Sequence, residues 1–217
     1  NTVQLLPFSA AATAVVVALI ALLRLPIRGI ATWAFAVGML VLGTEAVASG
    51  FIASAANTGN LVQVVAAYHW QAILASSSPA IWITYSLTFA RGQARQSARK
   101  WLWPLAVSIL IPACFAWFGH TLNLSVTRSS QGASWVLKLA PVGVGLVLWQ
   151  LAGAIVILVN LERTFRATVG AMRWRIKFAL AGVGFLFVVR LYTSSQTLLF
   201  RGVDPTLDSL NSGALLI

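Results

Sequence analysis

The sequence predicts an all-α protein, a polytopic bundle of seven membrane-crossing helices. Three observations carry that expectation. The 217 residues are 59% hydrophobic and 9% charged, with a mean hydropathy of +0.86, which leaves too little polar surface to cover a soluble domain of this size. Apolar runs near 20 residues recur along the chain, the length that crosses a hydrocarbon layer about 30 Å thick. The cations gather on alternate connections between those runs.

Taken in order, the first run is Leu5 to Leu23, ending at Arg24 and Arg28 with Pro26 between them. It lacks a basic start and a small-residue cleavage site, so it reads as a retained helix and not a signal peptide. The second, Ile30 to Ala55, closes at the uncharged turn Asn57-Thr58-Gly59-Asn60. The third, Leu61 to Phe89, contains Ser76-Ser77-Ser78-Pro79. Proline there removes a backbone donor and predicts a kink, with hydroxyls nearby to satisfy the freed carbonyl. Arg91 to Lys100 follows with four cations and no acid, then a fourth run, Trp101 to Phe118, with Pro104 and Pro112.

A polar loop, Gly119 to Ser134, leads to the fifth run, Trp135 to Val159. Asn160 to Phe178 is the most basic stretch, with Arg163, Arg166, Arg173, Arg175 and Lys177 against Glu162 alone. The sixth run is Phe178 to Phe200. Beyond Arg201-Gly202-Val203-Asp204-Pro205 a seventh begins near Thr206 and reaches Ile217 after about a dozen residues, too few to span. The chain opens on Asn1 and not Met. Both ends read as cut, so residues 1–217 are expected to be one transmembrane domain of a longer protein.

Charge sets the orientation. The connections after runs one, three and five carry 2, 4 and 5 cations, eleven against three (Arg128, Lys138 and Arg201) on the other side. The positive-inside bias then puts the N-terminus outside and, after seven spans, the C-terminus in the cytoplasm. Trp33, Trp101, Trp103 and Trp174 fall near the inner interface and Trp117 and Trp135 near the outer, as an aromatic belt requires. The net charge of +11 therefore reads as topology and contact with anionic lipid, and nucleic acid is not an expected partner.

Glu45, His69, Gln150 and Arg190 lie inside apolar runs, where ionisable and polar groups face a partner, the bundle interior or water. With a rise of about 1.5 Å per residue, Glu45 and Arg190 lie about 15 Å and His69 about 12 Å below the outer ends of their helices. Glu45, His69 and Arg190 are therefore the candidate ligand-binding residues. Two readings stand: a structural ion pair between Glu45 and Arg190 with His69 hydrogen-bonded beside it, or a ligand- or proton-sensing pocket open to the outside. Arg190, Thr193, Ser194 and Thr197 share one helical face; Glu45 with Ser49 and His69 with Ser76 form shorter stripes. Ala46 with Gly50, Gly143 with Gly145 and Gly182 with Gly184 are expected to let helices approach closely. Cys114, the single cysteine, excludes an internal disulfide and is expected in the core. No catalytic carboxylate pair, Ser-His-Asp set, metal-spaced cluster or phosphate-cradling glycine loop is present.

Leu161-Glu162-Arg163-Thr164-Phe165-Arg166, then Arg173-Trp174-Arg175-Ile176-Lys177-Phe178 with Gly182-Val183-Gly184, and Leu198-Leu199-Phe200-Arg201 before Val203-Asp204-Pro205, resemble the N-terminal membrane region of bacterial sensor histidine kinases of the PrsK type, associated with PEP-CTERM/exosortase systems. Trp82, Ser86-Leu87 and Ala90-Arg91-Gly92 give a weaker echo. The likeness covers about the last third of the chain, and it departs from the family at Arg190, where an acidic residue is expected. The resemblance implies a sensor and anchor in the bacterial inner membrane, working as a homodimer. A cytoplasmic kinase part, outside these residues, would bind ATP and Mg and signal to a response regulator. The segment itself is expected to hold no cofactor and no catalytic residue. The rival expectation is a small-solute transporter or channel, which predicts internal repeats and discontinuous helices.

Overall fold

A computed structural model describes residues 2–24, 29–89, 94–119, 122–123, 137–168, 171–203 and 205–216. Pro26, Arg28, Arg91, Arg128, Trp135 and Asp204 lie outside the described residues. The described chain folds into seven helices: α1 (Thr2–Arg24), α2 (Ile30–Asn57), α3 (Leu61–Thr88), α4 (Ala94–Phe118), α5 (Pro141–Ala167), α6 (Ala171–Phe200) and α7 (Pro205–Ala214). Four of them, α1, α2, α5 and α6, are long and apolar enough to cross a membrane. The protein is thus a helical membrane bundle.

Helix α3 is long enough at 28 residues, but its serines, Gln63, Gln71 and His69 dilute its hydropathy. Ser76, Ser78 and Ser86 are buried inside the bundle, so these groups face protein. The apolar part of α4 covers only Ala106–Phe118, and α7 is 10 residues long.

Packing runs in a ring. Helix α1 packs on α2, α2 on α3, α3 on α5, α5 on α6, α6 on α7, and α7 closes back on α1 and α2, while α4 lies outside against α3 and α5. The α2–α3 reversal is local chemistry: Gly59 takes φ +71°, a conformation that costs glycine no Cβ clash. The amide of Asn60 reaches back to the Ala55 carbonyl at 3.1 Å, and its side chain caps α3 by accepting from the Gln63 amide.

The basic segments are less loop-like than the charge pattern suggests. Helix α4 starts at Ala94 and α5 continues to Ala167, so much of both cationic stretches is helical. Asn160 is buried and donates to Ser86 Oγ at 3.3 Å, while Glu162 and Arg166 pair one turn apart on the exposed face. The expected start of the fifth helix at Trp135 is also corrected. Leu137–Leu139 is strand β2, and α5 starts only at Pro141, in the first turn where a missing amide hydrogen costs nothing.

Strand β2 pairs antiparallel with β1 (Leu122–Asn123) and β3 (Gly202–Val203). This small sheet joins the α4–α5 and α6–α7 connections, and Val203 packs against Ile52, Ala55, Val64 and Tyr68 at the α2–α3 end. Three connections therefore meet at one end of the bundle.

Of the expected close approaches the one at Ala46 and Gly50 is present, and glycines outside the expected pairs supply others. Ala46 and Gly50 do sit against α1, with a Cβ on Gly50 landing 2.8 Å from Phe8. Nothing lies near Gly145, Gly182 or Gly184. A tighter contact is at Gly153, where a Cβ would fall 2.4 Å from Pro79 Cβ. Proline 79 stays inside a continuous α3, and the indole Nε1 of Trp149 on α5 donates to the Ser76 carbonyl at 3.0 Å. Cys114 is exposed, beside the exposed Leu110, Ile111 and Phe115, so it lies on the outer surface of α4 and not in the core.

Candidate functional site

A charged pair lies within the ring of helices. Glu45 on α2 is 5% exposed and accepts from Nη2 of Arg190 on α6. Arg190 Nη1 donates to Ser78 Oγ on α3 at 3.2 Å. Each helix presents its polar group by periodicity. On α6, Val183, Phe187, Thr193 and Ser194 are buried on the same side as Arg190; on α2, Leu42, Ala46 and Ser49 are buried around Glu45. Neither charge would persist there alone, because an unpaired ion in an apolar interior carries most of its desolvation cost.

A second layer of hydrogen bonds reaches α7. Gln71 Nε2 on α3 donates to Ser49 Oγ at 3.0 Å and to Asp208 Oδ2 at 3.1 Å. Ser49 Oγ donates to the Glu45 carbonyl at 3.1 Å. Thr193 Oγ1 on α6 lies 3.0 Å from Asn211 Oδ1. Asp208 and Asn211 are three residues apart, on one face of α7. Helices α2, α3, α6 and α7 are thus joined by side chains alone.

These groups surround a cavity of about 130 Å³. The polar stripe Arg190, Thr193, Ser194 and Thr197 lines it, together with Glu45, Gln71, Gln150, Asp208 and Asn211. The sheet end contributes Leu139 and Val203. A smaller cavity of about 30 Å³, on the α2 side, shares Glu45, Gln71, Arg190, Asp208 and Asn211 and adds Ser49 and Ser212. Two buried oxygens here, Glu45 Oε1 and Gln71 Oε1, have no hydrogen-bond partner. Both are acceptors, so only a donor or a cation satisfies them.

The structure brings Glu45 and Arg190 together and leaves His69 outside. His69 is half-buried and lines neither cavity. The reason is angular: Tyr68, Gln71, Ala72, Ala75, Ser78 and Pro79 form the cavity face of α3, and His69 is turned about 100° from Tyr68. Equal depth in the membrane does not give equal direction.

Gln71, Asp208 and Asn211 were not singled out from the sequence. Gln71 carries no charge, and Asp208 and Asn211 stand in a run too short to read as a span. The available signal was the spacing Gln71–Ser78 on α3 and Asp208–Asn211 on α7, each matching one helical face.

Among the described residues no group of three or more His, Cys, Asp and Glu is placed to hold a metal ion. The arrangement can bind, orient or exchange a small polar species, and it can transmit that event to α7. The chain matches no protein-family model, no curated protein and no solved structure.

Proposed function

We propose that this bundle is the membrane input and anchoring domain of a bacterial sensor histidine kinase, of the PrsK type that its last third resembles. The observation that carries the reading is the hydrogen-bonded attachment of α7 to the polar cavity, through Gln71 to Asp208 and Thr193 to Asn211. In this reading the protein lies in the inner membrane with its N-terminus outside, and all seven helices serve the crossing. Helix α3 crosses with Ser76, Ser78 and Ser86 turned toward protein, α4 crosses beside it, and α7 starts the connection to the cytoplasm. A stimulus that alters the Glu45–Arg190 pair shifts the population between two packings of α7. The kinase part, with its ATP and Mg, the homodimer and the response regulator all belong to the longer protein that this reading assumes.

The test is phosphate transfer from labelled ATP in membrane vesicles carrying the full-length gene product. Asp208→Ala with Asn211→Ala should fix the kinase output at one level, whatever the external medium. A gene product with no phosphotransfer at all sinks the reading. The cavity itself favours a second reading, passage of a small solute. Uptake into liposomes by the purified chain supports transport, and a sensor gives none.

A further inference from the structure

We propose that the larger cavity binds one small uncharged molecule, a short aliphatic chain ending in a primary amide or an alcohol, held by Ser194 and Gln150. The inference deepens the sensory reading by naming the ligand class of the same cavity. Its test measures binding without signalling, so either can fail alone.

The first observation is a hydroxyl left unused. Thr193, Ser195 and Thr197, its neighbours on α6, each donate to a backbone carbonyl of their own helix, at 3.1, 2.8 and 2.9 Å. Hydroxyls within a helix commonly settle that way. Ser194 is 9% exposed and lines the cavity, yet its hydroxyl has no hydrogen-bond partner among the described residues. On α5, Gln150 is half-buried, lines the same space and also has no partner among them. A hydroxyl and a carboxamide each donate and accept. Together they suit a ligand group that does both.

The second observation is charge. The charged groups on the wall are already engaged: Glu45 and Ser78 hold Arg190, and Asp208 accepts from Gln71. The two groups left over are neutral. An ionic ligand would leave water without gaining a free counter-charge among the described residues, a cost that an uncharged ligand avoids.

The third is shape. Leu146 and Val147 on α5, Phe187 on α6 and Leu207 on α7 give the cavity an apolar side. Water would satisfy Ser194 and Gln150 but gain nothing from that side, whereas an alkyl chain laid against it leaves water favourably. The volume of about 130 Å³ is near the roughly 150 Å³ of a cavity that takes benzene, so the ligand has about six non-hydrogen atoms. Contact with Leu207 sets it against α7, the output helix of the sensory reading.

Purified full chain in detergent is followed by its thermal unfolding midpoint with four probes of equal size: butyramide, 1-pentanol, 2-pentanone and butyrate, the last against chloride at constant ionic strength. Butyramide or 1-pentanol should raise the midpoint saturably by a few degrees, the size expected when ligand reaches about 100 times its dissociation constant. The one that acts at lower concentration identifies the group, amide or alcohol. 2-Pentanone, which only accepts, and butyrate, which is charged, should do little. Ser194→Ala removes a hydroxyl without a partner, so the ligand-free midpoint should hold. The concentration giving half the shift should rise roughly three- to tenfold, the loss of one neutral hydrogen bond. No shift with any probe overturns the proposal, as does a shift with 2-pentanone or butyrate as large as with the other two. An unchanged half-shift concentration in Ser194→Ala overturns it too. The four-probe comparison needs no variant, so a misfolded Ser194→Ala leaves the proposal open to refutation.

Discussion

The two halves of α3 solve the same burial problem by opposite means. Toward the sheet end, Tyr68, Gln71 and Ser78 look into a polar cavity beside a buried ion pair. Toward the other end, Trp82 is fully buried, with Phe35, Tyr85 and Phe187 around it at ring-centroid distances of 5.8, 5.6 and 5.4 Å. Edge-to-face rings and close packing hold without any specific donor. The polar half depends on each partner being present, and a missing partner leaves a charge stranded. One half is suited to fixing the helices, the other to releasing them.

The contrast can be broken from either side. Trp82→Ala should be among the most damaging changes, about 3–5 kcal/mol in denaturant unfolding, because it empties an aromatic site in the core. Arg190→Met should cost a similar amount, about 3–5 kcal/mol, by stranding Glu45. The two losses differ in repair. Adding Glu45→Gln to Arg190→Met should recover much of the second loss, whereas no charge change restores the first, and a double-mutant cycle measures the difference. Without recovery in the double variant, the pair is not what holds that half together.

Gly38→Ala sharpens the aromatic side. A Cβ there falls 2.7 Å from Trp82 Cε2, so overpacking should cost about 2 kcal/mol in the same assay. Gln71→Leu is the smallest change and sharpens the polar side. Stability should fall by about 1 kcal/mol, while amide exchange in α7 accelerates and that around Trp82 does not. Uniform acceleration would mean that the halves act as one unit.

Much of the framework was legible in the sequence because hydropathy and charge act over whole helices. All seven segments correspond to helices in the structure. Their limits shifted where local chemistry overrode that signal: Pro141 sets the start of α5, and Leu137–Leu139 extend into a sheet with residues over sixty positions away. Pairing at such separation leaves no local trace in two- and three-residue strands. Glu45 and Arg190 stood out because a charge in an apolar run is conspicuous. Gln71 and Asn211 did not, since neutral polar groups weigh little in hydropathy. His69 was conspicuous for the same reason as Glu45, yet faces elsewhere. Cys114 shows the same limit, since a residue's type suggests burial and its angle on the helix decides it.

The small sheet has a mechanical consequence. Gly202 and Val203 lie one residue before α7, and the Leu139 amide is bonded to the Arg201 carbonyl at 3.0 Å; Arg201 itself holds the left-handed turn at φ +46°. The head of α7 is therefore clamped, and the helix behaves as a lever with its fulcrum at the strand. Asp208 lies three residues from Pro205 and Ala214 nine, so a sideways step at the cavity grows about threefold by the far end of the helix. A shift of the size of one altered hydrogen bond at the cavity becomes a displacement of a few ångströms at the tip.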